Sequence, residues 1–532
     1  MNGRGVNPVA KRPNFLLIVT DQHRADHLGC YGNPVLKTPA IDAIAADGVA
    51  FDRFYVTSAI CMPNRATLMT GRPPSLNGVR HNGIPLSLDA VTFVDLLREA
   101  GYRTVLCGKS HLQNMTGRPP VSGVPAREAL RGRNRGRYDQ EIATKWRSDP
   151  AHDLDYPYYG FDAVDLAIQH SDEVEGHYTR WLAARHPDPD SLRGPQNALS
   201  NAGAGLPQTL PQTWRTRMPE ELYPTTYVAE RAVARIKEFA AEPDRPFFLN
   251  VSFPDPHHPF TPPGRYWDLY RADDVALPAS WHVAPKQVPP HVRHLFAERD
   301  NGTARKDTPM LFACTEAEAR PLIALTYGMI AMIDDAIARI LAALAESGRA
   351  DETIVIFTSD HGDLMGDHQL MLKGPVHYQG LIRVPFIWRE TSDRRIQGRR
   401  NQLAATLDIP GTILERAGVA PCNGMLGRSL LAAIAGNGDG RDAVLIEEEG
   451  QRVYMGFPRR IRMRTLVTER HRLSVYEDAS WAELYDLADD PLEMRNLWGR
   501  PEAVAAERDM LERLAREMIA VSETSPAPTG LA

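Results

Sequence analysis

The run Phe15-Leu16-Leu17-Ile18-Val19 is continuously apolar, rich in branched residues, and stops at Thr20-Asp21-Gln22. A strand with one wet face alternates apolar and polar residues, so an unbroken run reads as a strand covered on both faces. Such strands belong to parallel sheets with helices on either side, whose ligands gather beyond the carboxyl ends of the strands. Three further runs follow the same rule: Thr104–Cys107 leading into Lys109-Ser110-His111, Pro246–Phe253 leading into His257-His258, and Thr353–Thr358 leading into Asp360-His361. Val384–Trp388 reads as a fifth strand. Segments with helical periodicity lie between the runs, at 38–48, 92–100, 226–241 and 316–346. The pattern predicts an α/β fold with a mixed, mostly parallel sheet flanked by helices.

The register changes after Gly436. Short segments at 443–447, 463–468 and 473–476 read as a small antiparallel sheet, and 502–521 as an amphipathic terminal helix. The expected organisation is therefore a catalytic α/β domain over 1–436 and a smaller C-terminal α+β subdomain over 437–532, ending in a disordered tail from Ser522. Irregular insertions at 115–158, 186–224 and 264–309 are long enough to be lids, binding loops or subunit contacts. In the first of these, Arg131, Arg133, Arg135 and Arg137 alternate with other residues; a solvated loop is the plainer reading, a basic rim the sharper one. The insertions and the terminal helix also offer surfaces for a homo-oligomer.

A formal net charge of −6 over 532 residues gives no global reason to expect nucleic acid or an anionic membrane as partner, so an anionic ligand needs a local cationic pocket. The five cysteines are too few and too scattered for a disulfide framework or a paired-cysteine zinc site, which fits a reducing compartment. The first apolar run is too short for a signal segment or a membrane span. The expected location is the cytoplasm.

Asp21, Lys109 with His111, His257, and Asp360 with His361 each follow a strand, and each alone reads as a loop residue. Together on one sheet edge they read as a site. Asp21, Gln22, Asp360 and His361 offer donors for one divalent ion, and an oxygen-rich set suits Ca, Mg or Mn better than Zn. Asp363, Asp367 and His368 read as turn and supporting groups. Cys61-Met62-Pro63-Asn64-Arg65 precedes an apolar run that could open a helix, where unpaired amides favour an anion and lower a thiol's pKa. By themselves these residues leave open an inert cysteine, or a thiolate in a Cys-His hydrolase that gives Asp21, Asp360 and His361 nothing to do.

The spacing Cys61-x-Pro63-x-Arg65 with Thr70-Gly71 resembles the signature of the sulfatase family of the alkaline phosphatase superfamily. The resemblance extends from Asn14 to about Asn496, taking in Glu483-Leu484-Tyr485-Asp486-Leu487 and Asp490-Pro491. It implies an alkaline-phosphatase-like fold and oxidation of Cys61 to formylglycine (3-oxoalanine) by a formylglycine-generating enzyme. It further implies metal ligation by Asp21, Asp360, His361 and the modified residue 61, with Gln22 joining them. Arg65 and Lys109 would stabilise the nucleophile, and His111 would act as base for its second hydroxyl. His257 and Lys373 would hold sulfate oxygens and protonate the leaving group, and Asn82 would bind the anion.

Many sulfatases carry Asp-Asp where this chain has Asp21-Gln22, and Asp-Asn where it has Asp360-His361. That combination resembles the bacterial branch of arylsulfatases, choline sulfatases and phosphonate monoester hydrolases. One negative charge fewer at the metal favours Mn or Mg over Ca. Lys109 and His111 match ordinary sulfatases, which points to sulfate esters. The implied function is a formylglycine-dependent sulfuric ester hydrolase acting on a small-molecule sulfate monoester through a covalent sulfo-enzyme, promiscuous towards phosphate and phosphonate esters. The alternatives are a phosphonate monoester hydrolase or phosphodiesterase with the same nucleophile, and a silent binding protein with unmodified Cys61.

Overall fold

The computed structural model describes residues 12–121, 123, 136–199, 210, 212–284 and 288–531. Arg131, Arg133 and Arg135 lie outside the described residues; Arg137 pairs with Asp155 at 2.7 Å on the surface.

A nine-stranded sheet forms the centre, in the spatial order Gly398–Arg400, Val49–Phe51, Phe386–Arg389, Thr353–Ser359, Asn14–Thr20, Phe247–Ser252, Arg103–Gly108, Ala163–Ile168, Glu175–Gly176. The five strands from Thr353–Ser359 to Ala163–Ile168 run parallel, so their carboxyl ends share one edge. Phe386–Arg389 is antiparallel to its neighbours, as is the short Glu175–Gly176. The sheet is mixed and mostly parallel, as the apolar runs predict.

The pleat of Asn14–Thr20 sends alternate side chains to opposite faces. Phe15, Leu17 and Val19 join a core with the helices Cys61–Thr70, Phe93–Glu99 and Asp408–Ala417. Leu16 and Ile18 join another with Pro39–Ala46, Pro224–Ala240 and Glu316–Glu346. Full burial on both faces contributes roughly 1.5–3 kcal/mol per large apolar side chain, which is why this strand tolerates no polar alternation. The long helix Glu316–Glu346 starts at a reciprocal Thr315–Glu318 capping box, and Pro321 falls early in it.

Ala443–Glu449, Arg462–Thr468, His471–Tyr476 and Ala482–Asp486 form a four-stranded antiparallel meander. One face carries Leu466, Leu473 and Leu484 against Met510 and Leu514 of the helix Val504–Ala520. The other brings Val444, Ile446 and Met463 to the main core, and Glu447 N donates to Thr57 O at 2.9 Å. Beyond that helix, the segment read from sequence as a disordered tail has contacts: Glu523 pairs with Arg72, and Asn423 Nδ2 donates to Thr524 O at 2.8 Å. Among the described residues no helix is long and apolar enough to cross a membrane.

Candidate active site

Cys61 is the first residue of the ten-residue helix Cys61–Thr70, every position of which is buried. Pro63 sits in the first turn, where its missing N–H would have no intrahelical partner in any case. Gly71 closes the helix in left-handed conformation at φ 62°. Asn82 accepts from Met62 N at 3.0 Å, and Asn64 Nδ2 donates to Asp360 O at 2.6 Å. The helix start is thereby tied to the end of the Thr353–Ser359 strand.

The strand ends converge on the thiol. Cys61 Sγ lies 2.9 Å from Lys373 Nζ, 3.1 Å from His361 Nε2 and 3.9 Å from Asp21 Oδ1. Lys373 Nζ is also 2.8 Å from His257 Nε2. Arg65 Nε donates to Asp360 Oδ2 at 2.8 Å, with Nη2 at 3.6 Å from Asp21. Lys109 Nζ pairs with Asp21 Oδ2. Gly108 makes that reach available: at φ 112° its Cα sits where a Cβ would fall 1.9 Å from Ser252 O, and Lys109 N donates to the same carbonyl. Behind His111, the buried Glu141 accepts from the backbone N–H groups of His111, Leu112 and Gln113 at 2.9–3.1 Å and from Tyr158.

The charges set each protonation state. Burial would raise the Asp21 carboxyl, but Lys109 and the nearby His257 and Arg65 hold it well below the ordinary range. Burial and Asp21 push the Cys61 thiol up; Lys373, His361 and Lys109 outweigh them and bring it down. Burial, then Lys109 and Arg65, hold His111 well below the ordinary imidazole value, which favours its neutral form; its buried Nδ1 has no hydrogen-bond partner. Burial would lower the Lys373 ammonium, yet Cys61, Asp21 and Asp360 keep it raised.

The donor set fits a divalent cation. One ligand atom each from Asp21, Cys61, Asp360 and His361 lies within 4.8 Å of all the others. His361 Nδ1 faces Gly362 O at 2.8 Å, which assigns the proton there and leaves Nε2, 2.9 Å from Lys373 Nζ, as the unprotonated atom that could ligate an ion. Gln22 Oε1 is buried with no hydrogen-bond partner, as an acceptor aimed at an ion would be, while its Nε2 is held by Asp363 and His258. Asp363 supports Gln22 while accepting from Met365 N, and Asp367 is engaged away from the site with Arg24 and Ser280, which fits supporting positions.

Asp21, Gln22, Cys61, Arg65, Lys109, His257, Asp360, His361 and Lys373 are brought together, Asn82 lies at the helix start, and His111 follows Lys109 with its backbone held by Glu141. The sequence reading missed Glu141, which sits in a stretch without periodicity, and His170. His170 follows Ala163–Ile168, a strand whose apolar run is broken by Asp165.

The sulfatase family profile matches residues 13–419, and the profile of the N-sulphoglucosamine sulphohydrolase C-terminal region matches 366–520. The chain belongs to the sulfatase family of the alkaline phosphatase superfamily. It is a sulfuric ester hydrolase. It is 26% identical over 497 residues to an arylsulfatase of Clostridium perfringens, covering 91% of this chain and 90% of that one. It is 28% identical to the multifunctional alkaline phosphatase superfamily protein PehA of Trinickia caryophylli, covering 94% of each. The crystal structure of the phosphonate monoester hydrolase of Agrobacterium radiobacter superimposes with a TM-score of 0.74 at 25% identity, over 98% of both chains.

Proposed function

We propose that this protein hydrolyses small-molecule sulfate monoesters with residue 61 converted to formylglycine. The observation that carries the reading is the position of Cys61 Sγ: first residue of a buried helix, 2.9 Å from Lys373 and 3.1 Å from His361, in one cluster with Asp21 and Asp360. A thiolate nucleophile would need a base and an oxyanion site; it would not need two carboxylates and an imidazole poised around it as metal ligands. Asp21, Gln22, Asp360, His361 and residue 61 would hold one Ca, Mg or Mn ion, with its one charge fewer favouring Mg or Mn. The ion would supply charge neutralisation, and formylglycine a nucleophile with two hydroxyls.

The chain's own groups then divide the work. Lys109 and Lys373 present ammonium groups to the sulfate oxygens, and Asn82 supports the same oxyanion from the helix start. Arg65, fixed by Asp360, stabilises negative charge developing on residue 61. Lys373 Nζ and His257 Nε2, 2.8 Å apart, share a proton that passes to the departing alcohol oxygen. His111, neutral and backed by Glu141, takes a proton from residue 61 to release sulfate. Maturation requires a formylglycine-generating enzyme as partner, and the cytoplasm remains the proposed location. The terminal helix exposes Val504, Leu511, Met518 and Ile519, which supports the proposal of a homo-oligomer.

A second reading is favoured by Gln22 in place of a second carboxylate: phosphonate monoester or phosphodiester hydrolysis as a side activity or main one. Both chemistries place charge on equatorial oxygens around an in-line displacement. Specificity constants for an aryl sulfate, a phenyl phosphonate monoester and a phosphodiester separate them. The sulfate reading expects the highest kcat/KM for the aryl sulfate; a higher value for the phosphonate would reverse the assignment.

A further inference from the structure

All five parallel strands end at this site, and four of those ends carry groups with roles given above. The fifth, Ala163–Ile168, delivers His170. The residues on either side of His170 are both non-glycine and both left-handed, Gln169 at φ 70° and Ser171 at φ 57°. Such backbone costs about 1–3 kcal/mol per residue and persists only where its surroundings impose it. Here Gln169 Nε2 donates to Met115 O at 3.2 Å, and the Ser171 hydroxyl bonds that of Thr261.

The outcome of this local cost is a stack. The His170 ring lies on the His257 ring with centroids 3.6 Å apart and 11° between planes. His258 stacks on His257 too, at 4.0 Å and 28°, so the two neighbours must cover opposite faces. His257 Nδ1 faces the His258 carbonyl and carries the proton, which leaves Nε2 directed at Lys373 Nζ. His170 Nε2 in turn accepts from Lys109 Nζ at 2.6 Å. The ring of His257 therefore cannot tilt without lifting off His170.

We propose that His170 is a positioning residue for proton delivery: its ring holds His257 Nε2 in line with Lys373 and with the leaving oxygen of the bound ester. The inference rests on the reading that the Lys373–His257 pair protonates that oxygen. In that step a deprotonated oxygen of the modified residue 61 bonds to sulfur as the ester S–O bond breaks, the broken bond's electron pair stays on the alcohol oxygen, and the proton shared by Nζ and Nε2 moves onto it. Misalignment costs most where the leaving oxygen is most basic, because a stable phenolate departs without a proton while a basic one does not.

The test is the dependence of kcat/KM on leaving-group basicity, across phenyl sulfates from 4-nitrophenyl to 4-methylphenyl, in the metal-loaded, matured enzyme. His170→Ala is expected to lower turnover a few-fold for the 4-nitrophenyl ester and about a hundredfold for the 4-methylphenyl ester, a steeper slope than the native enzyme shows. His170→Phe keeps a flat ring but no acceptor for Lys109, and is expected to keep the native slope. His170→Gln keeps an acceptor without the ring, and is expected to behave as the alanine variant does. Equal losses across the series, or rescue by Gln and not by Phe, overturn the inference. Thermal melting of each variant reports folding, and the Phe–Gln contrast decides the question even if the alanine variant fails to fold. His257→Ala is the separate control: a native slope there would defeat the proton-delivery reading itself, whereas a steep slope there with a native slope in His170→Ala defeats only the role of His170.

Discussion

Arg65 and Arg472 are both buried guanidiniums set between two carboxylates, yet their surroundings differ. Arg472, in the C-terminal sheet, pairs through Nε with Glu493, through Nη2 with Glu483 at 3.3 Å and through Nη1 with Ser474 at 2.7 Å. Tyr485 and Tyr378 cover its plane at 4.6 and 5.4 Å. Each of its nitrogens has a partner within the chain. Arg65 pairs through Nε with Asp360, but its Nη2 makes no hydrogen bond, and Gln22 Oε1, His111 Nδ1 and His258 Nε2 nearby are buried without one. Unpaired buried polar atoms cost about 1–3 kcal/mol each, and an unpaired guanidinium nitrogen beside the metal-ligand set is the kind of group a bound anion would satisfy. The Arg472 guanidinium is fully paired by the fold, although Tyr378 Oη and His291 Nδ1 beside it are also unpaired; the Arg65 guanidinium keeps one nitrogen for a ligand.

That contrast can be broken in order of effect. Cys61→Ala should lower turnover roughly 10⁴-fold or more, measured as kcat on an aryl sulfate, while thermal melting stays near native. Cys61→Ser should instead accept one sulfo group and hold it, read as a stable mass adduct on that residue; sustained turnover in this variant would contradict the need for two hydroxyls. Arg472→Met should show the reverse profile. Leaving Glu483 and Glu493 buried and unpaired should cost about 3–5 kcal/mol in denaturant unfolding, with native kcat in the fraction that remains folded.

Metal removal should act on one cluster alone. Dialysis against a chelator should lower the stability of the native enzyme by about 2–4 kcal/mol, recoverable with Mg or Mn, since a ligand bound only by the folded state stabilises it by mass action. Asp360→Asn should lose most of that response, and Arg472→Met should keep it. Calorimetric melting with and without chelator gives both.

The smallest effect is one of pH. Burial raises the Glu483 carboxyl, but Arg472 and His291 outweigh it and hold it below the ordinary glutamate value. A depressed folded-state pKa contributes stability that is present above the unfolded value, about 4.3, and is lost as pH falls through the folded one. Urea unfolding between neutral pH and the acid range should therefore show Glu483→Gln with a shallower acid loss than the native protein. Burial pushes Glu493 upward despite Arg472, with the Glu483 charge adding to that rise, so Glu493 contributes with the opposite sign to Glu483. An identical acid slope in both proteins would mean that the Arg472 cluster is not tuned as described.

How much was legible follows the same physics. Continuous apolar runs declare strands buried on both faces, and so Asp21, Lys109, His257 and Asp360 could be placed on one edge from sequence. Ala163–Ile168 declares nothing, because Asp165 interrupts it; that carboxylate is tolerated only because Arg231 and Arg235 of the Pro224–Ala240 helix reach it at 2.9 and 2.7 Å. With the strand hidden, His170 was hidden too. The short strands Gly398–Arg400, at the edge, and Val49–Phe51, next to it, are too brief to show a period. Glu141 is legible only in three dimensions, since its role comes from the backbone N–H groups it collects. The chemistry of Cys61 was legible as a motif, and the atoms left unpaired around it were not.

The central claim is that residue 61 works as formylglycine, and its most direct test is peptide mass spectrometry of that position in protein purified in active form. The account predicts an aldehyde or its hydrate in place of the thiol, trapped by a hydrazine reagent, in a proportion that tracks specific activity across preparations. A fully active preparation in which Cys61 remains a free thiol would contradict it.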